Sequence, residues 1–172
     1  MKILSKQKNS RMCMICGLDN EYGVNAPFYN MEDGSVMTVF RYKEQHQSYP
    51  GRVHGGMITA MLDEMGLRSL WAKELSEETF GVTISLDTKY RKPVSYETEL
   101  IGRGVVVKNT SHFIITDSYI MDKDGEILAN GRIKYIKMDT QKIQEGIEVH
   151  EEMPYLVEDG RTEIEGPFFD NL

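Results

Sequence analysis

The segment PGRVHGGMITAMLDEMG, residues 50–66, decides the fold. A Pro-Gly turn leads through His54 and two glycines into an apolar run, which predicts a helix from Gly55 to about Lys73. One face of this helix is uniformly apolar and consists of Met57, Ile58, Met61, Leu62 and Met65. Because further apolar side chains occupy the other faces, we expect the helix to be buried nearly all round.

Five segments around this helix have the composition of β-strands, at residues 35–42, 81–92, 97–108, 111–121 and 126–138. The second alternates, with Val82, Ile84 and Leu86 on the side expected to be buried and Thr83 opposite. Short links join the last four, and Asp-Gly at 124–125 marks a hairpin. Sequential hairpins favour an antiparallel sheet with the helix on one face, an α+β fold.

Charge is distributed unevenly along the 172 residues, a length that fits one domain. The net charge is −7, yet basic and acidic residues balance over residues 1–139, so the acidity belongs to the C-terminal part. A neutral body favours no nucleic-acid partner. No apolar run approaches the length of a membrane span, and the N-terminus lacks the pattern of a signal peptide, so we expect a cytoplasmic protein.

The chain divides by composition into three parts. Residues 1–33 are rich in Asn, Gly and Asp, which predicts an arm of turns, and residues 34–139 hold the predicted domain. Residues 140–172 form an acidic extension, in which only MPYLV (153–157) and GPFF (166–169) have the composition to dock on the domain.

Cys13 and Cys16 form a lone Cys-x-x-Cys in the arm. A tetrahedral zinc site has four ligands, and with no second pair and only scattered histidines we expect no metal. A redox dithiol is the alternative, but the strand and helix that such a motif normally joins are not evident here. The favoured interpretation is a small turn packed against the domain.

Asp63 and Glu64 stand together inside the predicted helix. Glu64 lies four residues before Arg68, the spacing of a helix ion pair, although it remains a second candidate for catalysis. Asp63 has no cation at that spacing, so burial would raise its pKa and suit it to act as a base or nucleophile. A cation from elsewhere, or a hydrogen bond to a loop, is the structural alternative for Asp63.

The glycines at the helix start have a possible chemical role. Gly55 and Gly56 leave the unpaired N–H groups of the first turn open to a carbonyl oxygen, as an oxyanion site for acyl transfer requires. Alternatively, they only permit a tight entry after Pro50 and Gly51. His54 is expected to act chiefly as a hydrogen-bonding residue of the helix cap.

The motif HGGMITAMLDEMG, followed by GVTISLDTKYRKPV and preceded by CMICGLDNEYG, resembles the hotdog-fold acyl-CoA thioesterases of the phenylacetic-acid-degradation and 4-hydroxybenzoyl-CoA thioesterase type. The resemblance covers residues 13–138. It implies a curved antiparallel sheet wrapped around one helix, assembly as a homodimer or dimer of dimers, and a thioester held at the subunit interface. No cofactor is implied beyond the CoA of the substrate.

The resemblance also implies roles for individual residues. Asp63 would be the nucleophile or general base, and Thr83 of the neighbouring subunit would help to place water. The backbone N–H of Gly56, next to His54, would polarise the thioester carbonyl. Ser48 occupies a position where several family members carry Asn, which puts that substrate-binding role in doubt.

Basic residues near one strand end suit the phosphates of CoA. Arg91 and Lys92, with Lys89, lie in KYRKP, and Asn109 with Lys108 is a weaker second candidate. A solvated strand end is the alternative for each of them. The sequence as a whole predicts hydrolysis of an acyl-CoA thioester, with a non-catalytic acyl-CoA or lipid-binding protein of the same fold as the alternative.

Overall fold

The computed structural model of the chain describes residues 1–74, 79–138 and 152–166. Within them, one long helix, α1 (Gly55–Glu74), lies across a seven-stranded antiparallel sheet. In chain order the strands are β1 (Ile3–Lys6), β2 (Tyr29–Met31), β3 (Val36–Phe40), β4 (Phe80–Tyr90), β5 (Leu100–Asn109), β6 (Phe113–Met121) and β7 (Ile127–Met138). Their order across the sheet is β1-β2-β3-β5-β6-β7-β4. This arrangement confirms the predicted α+β hotdog fold.

The helix packs closely on the middle of the sheet. Met61, Leu62 and Met65 are fully buried, as the apolar run predicted. Two glycines of β5, Gly102 and Gly104, lie directly beneath Met65, where a Cβ atom would collide with its side chain or backbone. Their lack of side chains lets the helix and sheet approach, so that α1 is buried along most of its length.

Strand β4 differs from the predicted alternation. Thr83 pairs with Tyr135 of β7, whereas Ser85 pairs with Lys134, so a bulge at Ile84 interrupts the register. A bulge shifts the side chains that follow it to the opposite face. The prediction that Val82 and Ile84 are buried with Leu86 is therefore wrong: both are exposed, whereas Thr83 faces the helix.

The N-terminal 33 residues contain more regular structure than an arm of turns. Strands β1 and β2 extend the sheet beyond β3, and the buried Gln7 donates to the carbonyl oxygen of Arg68 in α1 at 2.9 Å. These strands have only four and three residues, too short for a periodic signal, so the sequence did not reveal them.

The described part of the acidic extension, residues 152–166, packs along β1. Backbone bonds join Met1 to Ile164 and Asn9 to Tyr155, and Met153 and Ile164 are buried. Of the two segments with the composition to dock, MPYLV contacts the N-terminal residues, where Tyr155 bonds to Asn9, whereas residues 167–169 of GPFF lie outside the described residues. In the described ranges, no helix is both long and apolar enough to cross a membrane.

Candidate active site

Asp63 and Thr83 meet between α1 and β4. The Thr83 hydroxyl donates to both carboxylate oxygens of Asp63, with distances of 2.9 Å to Oδ1 and 3.2 Å to Oδ2. Both residues belong to the same chain, whereas the resemblance implied that Thr83 would come from a neighbouring subunit. The bulge at Ile84 explains the contact, since it leaves Thr83 facing the helix.

Tyr135 of β7 fixes the helix at the same point. Its hydroxyl donates to the backbone carbonyl oxygen of Asp63, inside α1, at 2.7 Å. Gly66, one turn further along α1, makes the approach possible, because a Cβ atom there would collide with the Tyr135 hydroxyl. Asp63 is thus held through its side chain by Thr83 and through its backbone by Tyr135.

Burial raises the pKa of the Asp63 carboxyl, and the nearby charge of Glu64 raises it further, whereas the hydrogen bond from Thr83 lowers it. The net direction is upward, as the sequence predicted. The carboxylate faces a cavity of about 240 Å³ that is also lined by Ile15, Ala60, Leu67 and Gly81. A carboxylate with a raised pKa at the wall of a small open cavity is suited to accept a proton from water.

Glu64 lines the same cavity as Asp63 and Thr83, and it forms the predicted ion pair with Arg68. Its Oε1 accepts from Nε of Arg68 at 2.7 Å, and Arg68 is only 1% exposed. The Arg68 guanidinium lies 4.3 Å from the centroid of the Phe28 ring. Since Glu64 neutralises a buried cation, its primary role is structural, and Asp63 is the better candidate base.

The Cys-x-x-Cys turn packs against Glu64. Sγ of Cys13 lies 3.9 Å from Oε2 of Glu64, a contact between residues 51 positions apart. A hydrogen bond from the Cys16 thiol lowers the pKa of Cys13 to about 7, and the same bond, together with burial, raises the pKa of Cys16 well above its usual range. The turn therefore carries an easily ionised thiol next to the helix that bears Asp63.

The start of α1 is capped by His54. The Gly56 N–H donates to Nδ1 of His54 at 2.9 Å, and the carbonyl of His54 accepts from Met57 and Ile58. The expected capping role of His54 is confirmed. Tyr90 lies over this end, where its hydroxyl donates to the carbonyl of Gly55 at 3.1 Å and contacts the Thr59 hydroxyl at 2.7 Å.

A cleft of about 390 Å³ opens beside this helix end. Its lining includes Gly55, Tyr90 and three cationic residues, Arg52, Arg91 and Lys92. Arg91 donates to Oδ1 of Asn130 at 2.7 Å, and Lys92 pairs with Glu126. The structure thus brings two of the predicted phosphate-binding residues to the predicted oxyanion site.

The other two candidates for substrate binding lie elsewhere. Ser48 is exposed in the turn before α1, where its N–H donates to the carbonyl of Arg52 at 2.8 Å. Asn109 donates to Glu74 at 3.2 Å, at the C-terminal end of α1. A twenty-residue helix is about 30 Å long, so Asn109 is distant from the cleft at Gly55 within this chain. A role of Asn109 in binding phosphate stays a prediction.

Three contacts at the site were not anticipated: Tyr135 at Asp63, Tyr90 over Gly55, and Arg52 in the cleft. Each tyrosine belongs to a predicted strand, but the sequence did not show that its hydroxyl reaches a helix backbone. Arg52 is the residue that the sequence could most readily have identified, because it lies two residues before His54 and thus near the helix start.

Comparison with known proteins bears on the family and the fold. Residues 50–129 match the family model described as thioesterase superfamily. Human acyl-coenzyme A thioesterase 13 is 23% identical over 100 residues, which is 58% of this chain and 70% of that protein.

Solved structures show the same fold. The thioesterase superfamily protein RHA08564 superposes with a TM-score of 0.65 at 25% identity, over 73% of this chain and 63% of that chain. This chain therefore spans less than two thirds of that relative. A phenylacetic acid degradation-related protein of Ralstonia eutropha superposes at 0.58 with 19% identity, over 66% of this chain and 85% of that chain. Together with the family model, these matches confirm the resemblance to the hotdog-fold thioesterases.

Proposed function

We propose that this chain, a hotdog protein whose residues 50–129 match the thioesterase superfamily, hydrolyses acyl-CoA thioesters with Asp63 as the catalytic carboxylate. The observation that carries the proposal is the environment of Asp63: a half-buried carboxylate with a raised pKa, oriented by Thr83 at the wall of a cavity. An ordinary surface carboxylate would be fully ionised and solvated at neutral pH, and thus a weaker base.

The start of α1 is the proposed binding site for the thioester carbonyl. Unpaired N–H groups and the positive end of the helix dipole stabilise negative charge that develops on an oxygen there. Because Nδ1 of His54 accepts the Gly56 N–H at 2.9 Å, the imidazole would have to turn aside for a substrate oxygen to take its place. His54 thus acts as a positioning residue that protects this donor until substrate binds.

The two halves of this site come from different copies of the chain in our proposal. Gly56 and Asp63 are separated by seven residues, about 10 Å along the helix axis. N–H groups of the first turn point out of the helix end, away from Asp63. The cavity at Asp63 and the cleft at Gly55 share none of their lining residues. A second copy that brings its Asp63 to the first copy's Gly56 would bridge this separation.

Strand β4 is the surface on which we expect the second copy to pair. It lies at the edge of the sheet, is eleven residues long, and exposes Val82 and Ile84 by 41% and 49%. A long edge strand with exposed apolar side chains readily pairs with another strand. A homodimer through β4 would cover these side chains and place Thr83 near the interface. Assembly into a dimer of dimers remains a prediction.

Coenzyme A is the expected carrier of the acyl group. Arg52, Arg91 and Lys92 surround the cleft beside Gly55, where cationic side chains can bind phosphate oxygens. Lys92 would exchange its exposed carboxylate partner, Glu126, for a phosphate. Exposed ion pairs contribute little stability, so this exchange has a small cost.

The proposed reaction proceeds in two stages. Asp63 accepts a proton from water, the resulting hydroxide adds to the carbonyl carbon, and the N–H groups at Gly56 stabilise the oxyanion. The C–S bond then breaks to give the free acid, and CoA leaves as a thiolate that takes up the proton from Asp63. Direct attack by Asp63, through an acyl-aspartyl anhydride that water hydrolyses, uses the same carboxylate and is the alternative.

Release of free thiol from a panel of acyl-CoAs tests the proposal. The wild-type chain should turn over at least one class of acyl group, and Asp63→Asn should lower kcat about 100-fold or more while CoA-thioester binding persists. Wild-type binding without any turnover would favour the acyl-CoA or lipid-binding alternative. Turnover that survives Asp63→Asn would exclude Asp63 as the catalytic carboxylate.

A further inference from the structure

Three potential metal ligands converge beside the catalytic cavity. Sγ of Cys13, Sγ of Cys16 and a carboxylate oxygen of Glu64 all lie within 4.8 Å of one another. Around a tetrahedral Zn²⁺ with Zn–S bonds of about 2.3 Å, ligand atoms are about 3.8 Å apart, so small side-chain rotations suffice. The contact brings a third ligand from a distant part of the chain, which the cysteine spacing alone does not reveal.

The turn is already shaped to hold a thiolate. The backbone N–H groups of Ile15 and Cys16 donate to Sγ of Cys13 at 3.3 and 3.4 Å, and such bonds stabilise negative charge on sulfur. Asn9 anchors the turn by donating to the carbonyl of Cys16 at 2.6 Å. At Gly17 a Cβ atom would collide with the backbone of Cys13, so only glycine lets the chain fold back this tightly.

The charges around the cluster match a divalent cation. Two thiolates and the Glu64 carboxylate carry three negative charges when they all ionise, and the buried guanidinium of Arg68 neutralises one of them. The remaining two equal the charge of one divalent ion. Arg68 binds Oε1 of Glu64, which leaves Oε2 directed at Cys13, so the guanidinium also orients the carboxylate as a ligand.

We propose that Cys13, Cys16 and Glu64 bind a thiophilic divalent cation, with Zn²⁺ as the expected ion and water as the fourth ligand. Two sulfur ligands select a soft or borderline metal over Mg²⁺ or Ca²⁺. The ion would tie the N-terminal turn to α1 directly behind Asp63. Asp63 is not one of the three clustered ligands found among the described residues, since its carboxylate faces Thr83.

The test is a Zn²⁺ titration of the full-length chain, stripped with a chelator and kept in a phosphine reductant, against a chromophoric competitor. We expect one Zn²⁺ per chain, and an affinity at least 10-fold lower for Cys13→Ser and for Cys16→Ser. Asp63→Asn, the matched control next to Glu64, should keep the wild-type affinity. Substitution by Co²⁺ should give a thiolate charge-transfer band that is weaker in each serine variant, since each keeps one of the two thiolates.

Glu64→Gln should also weaken Zn²⁺ binding. Because it removes the carboxylate partner of the buried Arg68, the fold of this variant must be checked by circular dichroism. Glu64→Asp, which keeps the charge, serves as the second variant, and its affinity should fall less than that of the glutamine variant. Equal affinity of the wild-type chain and both serine variants would overturn the proposal. No Zn²⁺ binding by the reduced chain, with a Cys13–Cys16 disulfide forming on oxidation, would replace the metal site with a redox pair.

Discussion

Thr83 donates hydrogen bonds to both carboxylate oxygens of Asp63 within one chain, at 2.9 and 3.2 Å. The contact depends on a single extra residue in β4, because the bulge at Ile84 determines which side chains face the helix. The strand that orients the candidate base therefore also exposes Val82 and Ile84 at the sheet edge. One local irregularity links the candidate catalytic carboxylate to the proposed subunit interface.

Thr83 should control the pH at which the enzyme becomes active. In the proposed mechanism ionised Asp63 is the active form, so kcat/KM should fall as the pH drops through its raised pKa. Thr83→Val removes a donor that lowers this pKa, so the acid limb of the pH–rate profile should move to higher pH. We expect a roughly tenfold loss of kcat/KM at neutral pH. Thr83→Ser keeps the hydroxyl and should keep the wild-type limb; an identical shift in both variants would contradict this role.

Asp63 and Glu64 should differ in their effects on stability. A carboxyl whose pKa is raised by folding destabilises the folded chain once it ionises, so Asp63→Asn should leave the melting temperature unchanged or higher at neutral pH. Glu64→Gln removes the carboxylate from the buried Arg68, which keeps its hydrogen bonds to Gln7 and Lys8, and should cost about 2–3 kcal/mol of unfolding free energy. Thermal and urea denaturation in the presence of a chelator would measure both. A destabilised Asp63→Asn together with an unchanged Glu64→Gln would reverse this assignment.

The exposed edge of β4 should govern assembly. Ile84→Lys places a charge on the apolar strand edge and should convert a dimer into monomers, measured by light scattering after size-exclusion chromatography. Activity should fall in parallel, because the proposed site needs two copies. Val107→Lys, on the interior strand β5, introduces the same charge at an equally exposed position and should change neither property. Full activity in a monomeric Ile84→Lys variant would show that one chain suffices.

The cationic cleft should recognise the nucleotide part of the substrate. Arg52→Ala and Lys92→Ala should each raise KM for an acyl-CoA about tenfold, since each removes a cation beside the expected phosphates. The KM for the matching acyl-pantetheine, which lacks the nucleotide, should not change. Lys89→Ala removes an exposed cation that does not line this cleft and is the control. Equal effects on both substrates would indicate general damage to the site.

The C-terminal segment should loosen in acid. Although partial burial opposes its ionisation, hydrogen bonds from Lys6 and Tyr29 lower the pKa of Asp159 to about 2. A lowered pKa contributes stability that is present above the ordinary value near 4 and lost as the pH falls toward 2. The protection factors for hydrogen exchange of residues 152–166, which correct for the pH dependence of the intrinsic exchange rate, should therefore fall over that range. Asp159→Asn should exchange fast at every pH; wild-type protection of this variant would rule out the ion pair as the cause.

Much of the site could be read from local sequence, because its determinants are neighbours along one helix. The i,i+4 spacing predicted the ion pair of Glu64 with Arg68, and the position of His54 before two glycines predicted its capping role. The absence of a local cation for Asp63 predicted its raised pKa. Whether these residues perform the proposed catalysis remains a prediction.

The sequence by itself determined the central helix, the principal antiparallel strands β3 to β7, and the chemical type of the site, since periodicity and side-chain spacing are local properties. Only the tertiary structure decided which residues from distant parts of the chain meet. The bulge at Ile84 changed the buried face of β4, the short strands β1 and β2 joined the sheet, and Cys13 came to lie 3.9 Å from Glu64. Such contacts depend on the register of packed strands and on chain closure over many residues, and neither leaves a periodic signal in the sequence.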